Sequence, residues 1–503
     1  MKSFGIEYAT VRMVVSLIVY FAVCTVMLMP CSGHGKIMWY VFIIPLCLFG
    51  VYESIVALLQ LFGWIDSGNH LFVLTGTFKN PGPFGAFLAM CVAVAGSAAY
   101  RLFNQEKKSF WFLFLASAFC AMLLPASMSR GAIVALFIAG CVFLLKEFKA
   151  ASWLKQHKMS AAYIAVAILA ICVGLFYLKK DSAIGRLHIW NIECRAILKH
   201  PFGTGPGSFE ETYGAVQEEY FRAKKRPAAI VRVAGCPDHS FNEFLGIGVE
   251  FGIPGMLLAV SFVVICIYVL LAKRSPLAYG LIVLAAFAFF SYPLDVPLLA
   301  GSLSIILGAG TAEALKMTTK KWPLAISFVA LASSVYVLAV IQLPKEIERE
   351  NAEASWRKAK YWSDTKRYDL AVEEFALAKN TMSNNKNFLY DYGYALYLAQ
   401  RYEESLIVLE SGAHISNDPM FHNIIGRNCE ALGNVICAEE EYWKAHYMVP
   451  CRLYPLQRLM LLYLRQGRYE EAASIREKAL AMPVNPLNRA MVNIYYEIDK
   501  TKI

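Results

Sequence analysis

Two arginines and a histidine stand at the edges of apolar stretches, where charge is costly to keep. Arg130 lies in SMSRGA at 127–132, Arg186 opens an Arg-x-x-x-Trp pattern that ends at Trp190, and His239 lies in DHSFNEFLGIGVEFGIPG at 238–255. A guanidinium is always charged and presents a planar fork of donors that suits two oxygens of a phosphate or diphosphate. Lys79 and Asn80, within TGTFKNPGPFGAF at 75–87, could add donors. In HPFGTGPGSF at 200–209, Gly203, Gly205 and Gly207 let the chain turn tightly and bring backbone N–H groups up to a ligand. Imidazole titrates near neutrality, so His239 has the chemistry of a general base on an acceptor hydroxyl. Together these residues describe an anion site with a base beside it.

Each feature also has a plainer reading. An arginine at a span end commonly anchors the interface, a GTGPG run commonly makes a turn, and a loop histidine commonly does no chemistry. The basic cluster Arg222, Lys224, Lys225 and Arg226 is either solvated or an attraction for anionic glycolipid. Glu53 lies well inside an apolar run, where a carboxylate normally faces the bundle interior; it could orient an arginine or act as a neutral donor.

The elements that must position these groups are membrane spans. The chain has 503 residues, 57% hydrophobic and only 17% charged, against about a quarter charged in soluble chains. Apolar runs occur near 13–30, 37–62, 84–102, 109–127, 131–147, 161–178, 253–272, 277–292, 297–315 and 323–343. Most are long enough to cross a hydrocarbon core of roughly 30 Å, so the expected fold is all-α, a polytopic transmembrane bundle of about ten spans. The first run has a weakly basic flank and no clear small-residue cleavage site, and is read as a span and not as a signal peptide. The net charge of +10 fits cytoplasmic loops of a membrane protein, and no nucleic-acid motif accompanies it.

Short loops carry the orientation signal. Arg101, Lys107 and Lys108, then Lys146, Lys149, Lys155 and Lys158, then Lys273 and Arg274, then Lys316, Lys320 and Lys321 fall in alternate loops that can all face the cytoplasm. The polar segment 179–240 and the C-terminal region then face outward, although Lys2 and Arg12 argue mildly against an external amino terminus. All the polar motifs above reach that same outer face, which the loop charges alone assign. Of thirteen cysteines, Cys24, Cys31, Cys47, Cys91, Cys120, Cys141, Cys172 and Cys266 lie in or beside apolar runs and read as small core residues. Cys194 and Cys236 share the polar segment and either pair in an oxidising compartment or stay free. Cys429, Cys437 and Cys451 are expected to be buried.

The pattern changes after Leu343. Similar segments begin at Arg367, Arg401, Asn434 and Arg468, 33 or 34 residues apart, with small residues in step at Ala371, Ser405, Ala438 and Ala472. That period is the tetratricopeptide signature, an α-solenoid of helical hairpins whose concave face commonly binds peptide or protein. The expected division is therefore a membrane domain at 1–345, with a large extracytoplasmic loop at 179–240, and a tetratricopeptide-like repeat domain at 346–503. The repeats serve either as a structural cap or as a surface for a protein partner.

The combination of motifs resembles the O-antigen ligase/polymerase superfamily of bacterial membrane glycosyltransferases. The resemblance rests on Gly76 to Pro81, Ser129 to Gly131, Arg186 to Phe209 and His239 to Gly255, and covers roughly residues 70–310. It implies an inverting transfer, independent of metal or cofactor, of a glycan from an undecaprenyl diphosphate donor to an acceptor hydroxyl on the periplasmic side of the inner membrane. By carry-over Arg130 and Arg186 hold the diphosphate, His239 activates the acceptor, and Lys79, Asn80, Trp190, Gly205, Gly207 and Asn242 bind substrate. The acceptor would be lipid A core in a ligase, another lipid-linked glycan in a polymerase, or a protein in an oligosaccharyltransferase. Two departures matter: Gly82 replaces the second Asn of Asn-Pro-Asn, and Phe241 occupies the usual histidine position before Asn242. His239 lies three residues before Asn242, a spacing that shares a face if the segment is helical. Two other classes compete. A transporter or flippase would need paired interrupted helices with charge at the midplane, which the sequence lacks. A non-catalytic scaffold would tolerate loss of Arg130, Arg186 and His239 together.

Overall fold

The computed structural model describes residues 6–29, 42–69, 71–148, 156–157, 159, 180–316, 322–482, 484 and 488–502. The expected span at 161–178 and the loop cations Lys2, Lys149, Lys155, Lys158, Lys320 and Lys321 lie outside the described residues. Every regular element among the described residues is helical.

The first part of the chain runs α1 (Ile6–Leu28), α2 (Ile44–Leu61), α3 (Pro81–Phe103), α4 (Phe110–Leu123) and α5 (Arg130–Glu147). A polar block follows: α6 (Lys180–Lys199), α7 (Phe209–Ala223) and α8 (Ala228–Val233). Then come α9 (Glu243–Ala272), α10 (Leu277–Ala288), α11 (Pro297–Leu315) and α12 (Trp322–Tyr336). Helices α2, α3, α9, α11 and the stretch Phe110–Ser127 are long and apolar enough to cross a membrane. Shorter apolar helices are Met13–Leu28, α10 and Pro323–Tyr336. Helix α3 is the centre of the bundle: it packs on α4, α5 and α10, and its residues from Phe84 to Cys91 are completely or almost completely buried. Helix α1 packs on α11 and α12.

Polar residues inside the bundle shape the turn ahead of α3. Gln60 Oε1 accepts from the backbone N–H groups of Thr75 (2.9 Å) and Gly76 (2.8 Å), and its Nε2 donates to Gly76 O (2.9 Å). Glu53, fully buried, accepts from Thr77 N (3.0 Å) and Thr77 Oγ1 (2.6 Å). Among the described residues, Glu53 thus closes the turn that delivers Asn80 to the head of α3.

After a π-helical stretch at Val337–Gln342, α13 (Leu343–Asp364) leads into the repeats, so the expected boundary at 345/346 falls inside a helix. The repeats are α14 (Tyr368–Ala378), α15 (Lys386–Leu398), α16 (Tyr402–Ala413), α17 (Met420–Ala431), α18 (Val435–Met448), α19 (Tyr454–Arg465), α20 (Tyr469–Leu480) and α21 (Arg489–Lys500). Successive helices pack on one another. Ala371, Ser405, Ala438 and Ala472 are fully buried where helices approach, as their recurrence requires. Cys429 and Cys437 form a disulfide, while Cys194 and Cys236 are separate free thiols. Cys236 instead receives a hydrogen bond from Arg452 (3.3 Å).

Candidate functional site

Four segments meet around Tyr292. Asn80 caps α3, its Oδ1 accepting from Gly82 N (2.9 Å), and its Nδ2 donates to the Tyr292 hydroxyl (2.8 Å). On the other side the His239 ring stacks on Tyr292, with centroids 4.9 Å apart and planes 27° from parallel. Phe241 meets Tyr292 edge-on at 5.7 Å, and the Arg186 guanidinium lies 5.5 Å from the Phe241 ring centre. Arg130, the first residue of α5, is close enough for its charge to act on Arg186.

The base has a partner that the sequence did not announce. His239 Nδ1 lies 2.8 Å from Asp295 Oδ2, in the short Pro293–Asp295 turn between α10 and α11. Burial alone would lower the imidazole pKa, but the Asp295 hydrogen bond and charge, joined by Asp238 and Glu210, carry it above the ordinary value. With Nδ1 turned to a carboxylate, Nε2 is the atom left to accept a proton. The signal available in the sequence was thin: Asp295 is the single carboxylate between Pro276 and Thr311. Tyr292, which carries both the amide of Asn80 and the imidazole, had no signal at all.

The arginine site is cationic by construction. Burial lowers the Arg186 pKa, the nearby charge of Arg130 pushes it the same way, and Tyr292 opposes both. Among the described residues no carboxylate pairs with Arg186. A guanidinium remains charged under such pressure. Two half-buried cations brought together in this way make a region of positive potential that an anion would relieve. Trp190, one turn beyond Arg186, packs against Phe289 (5.6 Å) and Phe290 (6.2 Å) at the end of α10, so it fixes α6 against the bundle. The seryl-arginyl-glycine segment docks on the head of α3, where Ser129 Oγ donates to Gly82 O (3.3 Å).

Several expected ligand residues have other work. Gly205 N donates to Glu250 O (3.0 Å), and the Gly207 and Phe209 amides lie near the Glu250 carboxylate, where they favour its charged form. The glycine loop therefore does not present Gly205 and Gly207 to an anion; it binds the broken helix α9. The break is at Gly252, with φ 72° and ψ −174°, a conformation close to glycine-only. Thr204 N donates to Val249 O (3.1 Å) and Ile253 N to Pro201 O (2.8 Å), and a side chain at Gly252 would sit 2.3 Å from Pro201 O. At Gly203 a side chain would sit 2.3 Å from Glu250 O. The two motifs thus interlock backbone to backbone, and their glycines are required by that approach. Asn242 is the cap of α9, its Oδ1 accepting from Phe244 N (3.1 Å) and Leu245 N (3.2 Å), so its side-chain oxygen supports the helix. His239 precedes α9 in a loop, so it reaches the site by the path of that loop and not by sharing a helix face with Asn242. Lys79 is exposed, with left-handed backbone (φ 58°).

Glu193 was also missed. It lies on α6 two turns beyond Arg186, fully buried, and burial pushes its carboxyl up to about 8. Ser240 is the nearby hydroxyl that eases its charged form, but that hydroxyl donates to Asn242 O, and neither Glu193 oxygen receives a hydrogen bond among the described residues.

The O-antigen ligase family model matches residues 115–260, a stretch that includes Arg130, Arg186 and His239. Comparison with curated proteins finds no match. Among solved structures, the crystal structure of the MamA protein aligns with 15% identity over 34% of this chain and 93% of that chain, at a TM-score of 0.25. The last value is too low to bear on the fold.

Proposed function

We propose that the chain is a membrane glycosyltransferase that moves a glycan from a polyprenyl diphosphate, undecaprenyl diphosphate in a bacterial inner membrane, to an acceptor hydroxyl at the periplasmic face. The lipid tail lies among the spans and the diphosphate rests on Arg130 and Arg186. His239 Nε2 takes the proton of the acceptor hydroxyl while Asp295 holds Nδ1 and stabilises the imidazolium that forms. The acceptor oxygen bonds to the anomeric carbon as the bond from that carbon to the phosphate oxygen breaks. Charge grows on the leaving diphosphate, where two fixed guanidinium groups stabilise it more than they stabilise the ground state. A single displacement of this kind inverts the anomeric centre. None of these roles requires a metal.

The observation that carries the reading is the pairing of an Asp295–His239 dyad with an arginine that no described carboxylate neutralises. The side assignment is supported by the loop charges and by direct contacts between the polar block and the repeats, which require both to lie on one face. An O-antigen ligase acting on lipid A core is the first reading of the acceptor; a second glycan or a protein hydroxyl are the others. The test is transfer from a lipid-linked glycan by the reconstituted protein. Arg186→Ala should nearly abolish it, and unchanged turnover would reject the diphosphate role. Lipid, glycan and protein acceptors offered separately assign the acceptor.

A further inference from the structure

The repeat domain reaches into the loop that carries the base. Asn417 Nδ2 donates to Pro237 O (2.7 Å), Cys451 Sγ to Ala234 O (3.4 Å), and Arg452 to Cys236 Sγ (3.3 Å). Lys386, the first residue of α15, goes further. Its Nζ donates to Glu210 Oε1 (2.8 Å) and Oε2 (2.6 Å) and to Asp238 Oδ1 (2.8 Å). Asp238 is the neighbour of His239 in sequence, and Glu210 at the head of α7 also acts on the imidazole through its charge. One ammonium group from the repeats thus meets two of the three carboxylates that surround the base. Burial would lower the Lys386 pKa, but Glu210 and Asp238 raise it above the ordinary value, so it stays charged.

We propose that Lys386 is a positioning residue for the transfer site: it fixes the 234–239 loop and balances Glu210 and Asp238, so that these two carboxylates do less to hold the His239 imidazole protonated. This deepens the reading of His239 as base and rests on it. The groups around the imidazole can be named from each side: Asp295 and Tyr292 from the turn after α10, Asp238 from its own loop, Glu210 from α7, and Lys386 from α15. Glu243 and Glu250 of α9 approach the Asp295 turn, Glu243 accepting from Leu294 N (2.8 Å) and Glu250 through its charge. Asp295 and Tyr292 orient the ring; Glu210 and Asp238, without a cation between them, would favour imidazolium. The repeats are on this view part of the catalytic apparatus and not an appended module.

The experiment titrates His239 itself. The full-length protein in detergent is treated with diethyl pyrocarbonate across pH, and carbethoxylation of the His239 peptide is followed by mass spectrometry, since only neutral imidazole reacts. Lys386→Met should raise the midpoint by about half a pH unit or more, because it leaves two carboxylates uncompensated. Lys386→Arg should restore it. Asp238→Asn, which retains Lys386 on Glu210, should lower it and carries the test if Lys386→Met does not fold. Midpoints unmoved in the folded variants overturn the proposal, and so does a Lys386→Met protein that transfers slowly with an unmoved midpoint, since that is mechanical support only. A moved midpoint in a wild-type protein that transfers no glycan removes the proposed reaction and leaves the positioning role standing. Normal transfer with unmoved midpoints does the reverse.

Discussion

The repeat domain and the membrane-face site use arginine in opposite ways. In the repeats, Arg458 pairs with Glu430 (2.8 Å), Arg465 with the same carboxylate (2.6 Å), Arg468 with Glu439 (2.7 Å) and Arg452 with Asp418 (2.9 Å). Several of these also lie over aromatic rings, Arg468 4.2 Å from the Tyr463 centre and Arg458 5.8 Å from Tyr442. Arg186 has an aromatic ring too, yet its charged neighbour is another arginine. The aromatic contact therefore separates nothing, because any guanidinium gains by lying on a ring. What separates the regions is the carboxylate. A cation that serves the fold is neutralised at home; one that serves a ligand is left for the ligand to neutralise. Arg427 tests this rule from inside the repeats, since among the described residues its Nε has no hydrogen-bond partner and it stacks 4.5 Å from Tyr397. Its cationic neighbour Arg458, however, is held by Glu430, so the second charge beside it is already neutralised.

The largest expected effect follows from exchanging the two fates. Arg186→Ala should reduce transfer by about 10²- to 10³-fold, the scale of losing one preorganised charge at a developing oxyanion. Its thermal stability should hold or rise, because a repulsion with Arg130 is relieved. Arg458→Ala should do the opposite. It should lower stability by about 1–3 kcal/mol, through loss of packing on Tyr442 and a weakened Glu430 network. Turnover measured well below the melting temperature should stay unchanged. Melting curves and initial rates on both proteins decide it: equal behaviour of the two variants breaks the comparison.

A smaller effect sharpens it at the base. Asp295→Asn removes the hydrogen-bonded charge beside His239 while keeping the shape. The imidazole pKa lies above its ordinary value in the intact site because Asp295 and its neighbours outweigh burial. Activity that needs neutral imidazole therefore rises with pH through that raised value. In Asp295→Asn the acid limb of kcat/KM should move to lower pH, and the plateau should fall by about tenfold or more as the ring loses its orientation. A fall in the plateau with an unmoved limb would mean that Asp295 does not act on the titrating group.

Much of this arrangement was legible beforehand, and the rest was hidden for physical reasons. Apolar runs of span length and a repeat of 33 or 34 residues are local patterns, so α3, α9, α11 and the hairpins could be read directly. Arg130, Arg186 and His239 stood out because charge beside apolar sequence is costly. Pairings made by convergence left no such trace. Asp295 and His239 are joined only when the turn after α10 meets the loop before α9. Lys386 reaches Asp238 across 148 positions. The glycines misled because sequence shows that Gly205 and Gly207 can turn, not what their N–H groups find; they find Glu250, in the other motif. Even the helix break at Gly252 became explicable only once Pro201 was seen to occupy the space that a side chain would need.

The smallest effect concerns Glu193, an acid of the polar block that burial holds against its charge, as burial holds Arg186 against its own. Burial raises its carboxyl to about 8, so the folded protein keeps a proton that the unfolded chain releases near 4.5. Between those values the native state binds more protons than the unfolded state, and stability falls as pH rises, levelling off above about 8. That sign is opposite to a salt-bridged carboxylate, whose contribution is lost on acidification. Glu193→Gln abolishes the titration and leaves a neutral side chain of the same shape. The variant should melt close to the parent near pH 5 and above it at pH 8, by an amount worth at most a few kcal/mol. Melting temperatures taken across that range provide the measurement. Parallel curves for the two proteins would mean that a donor reaches Glu193 in solution, and that this part of α6 tolerates a negative charge close to the site that gathers positive ones.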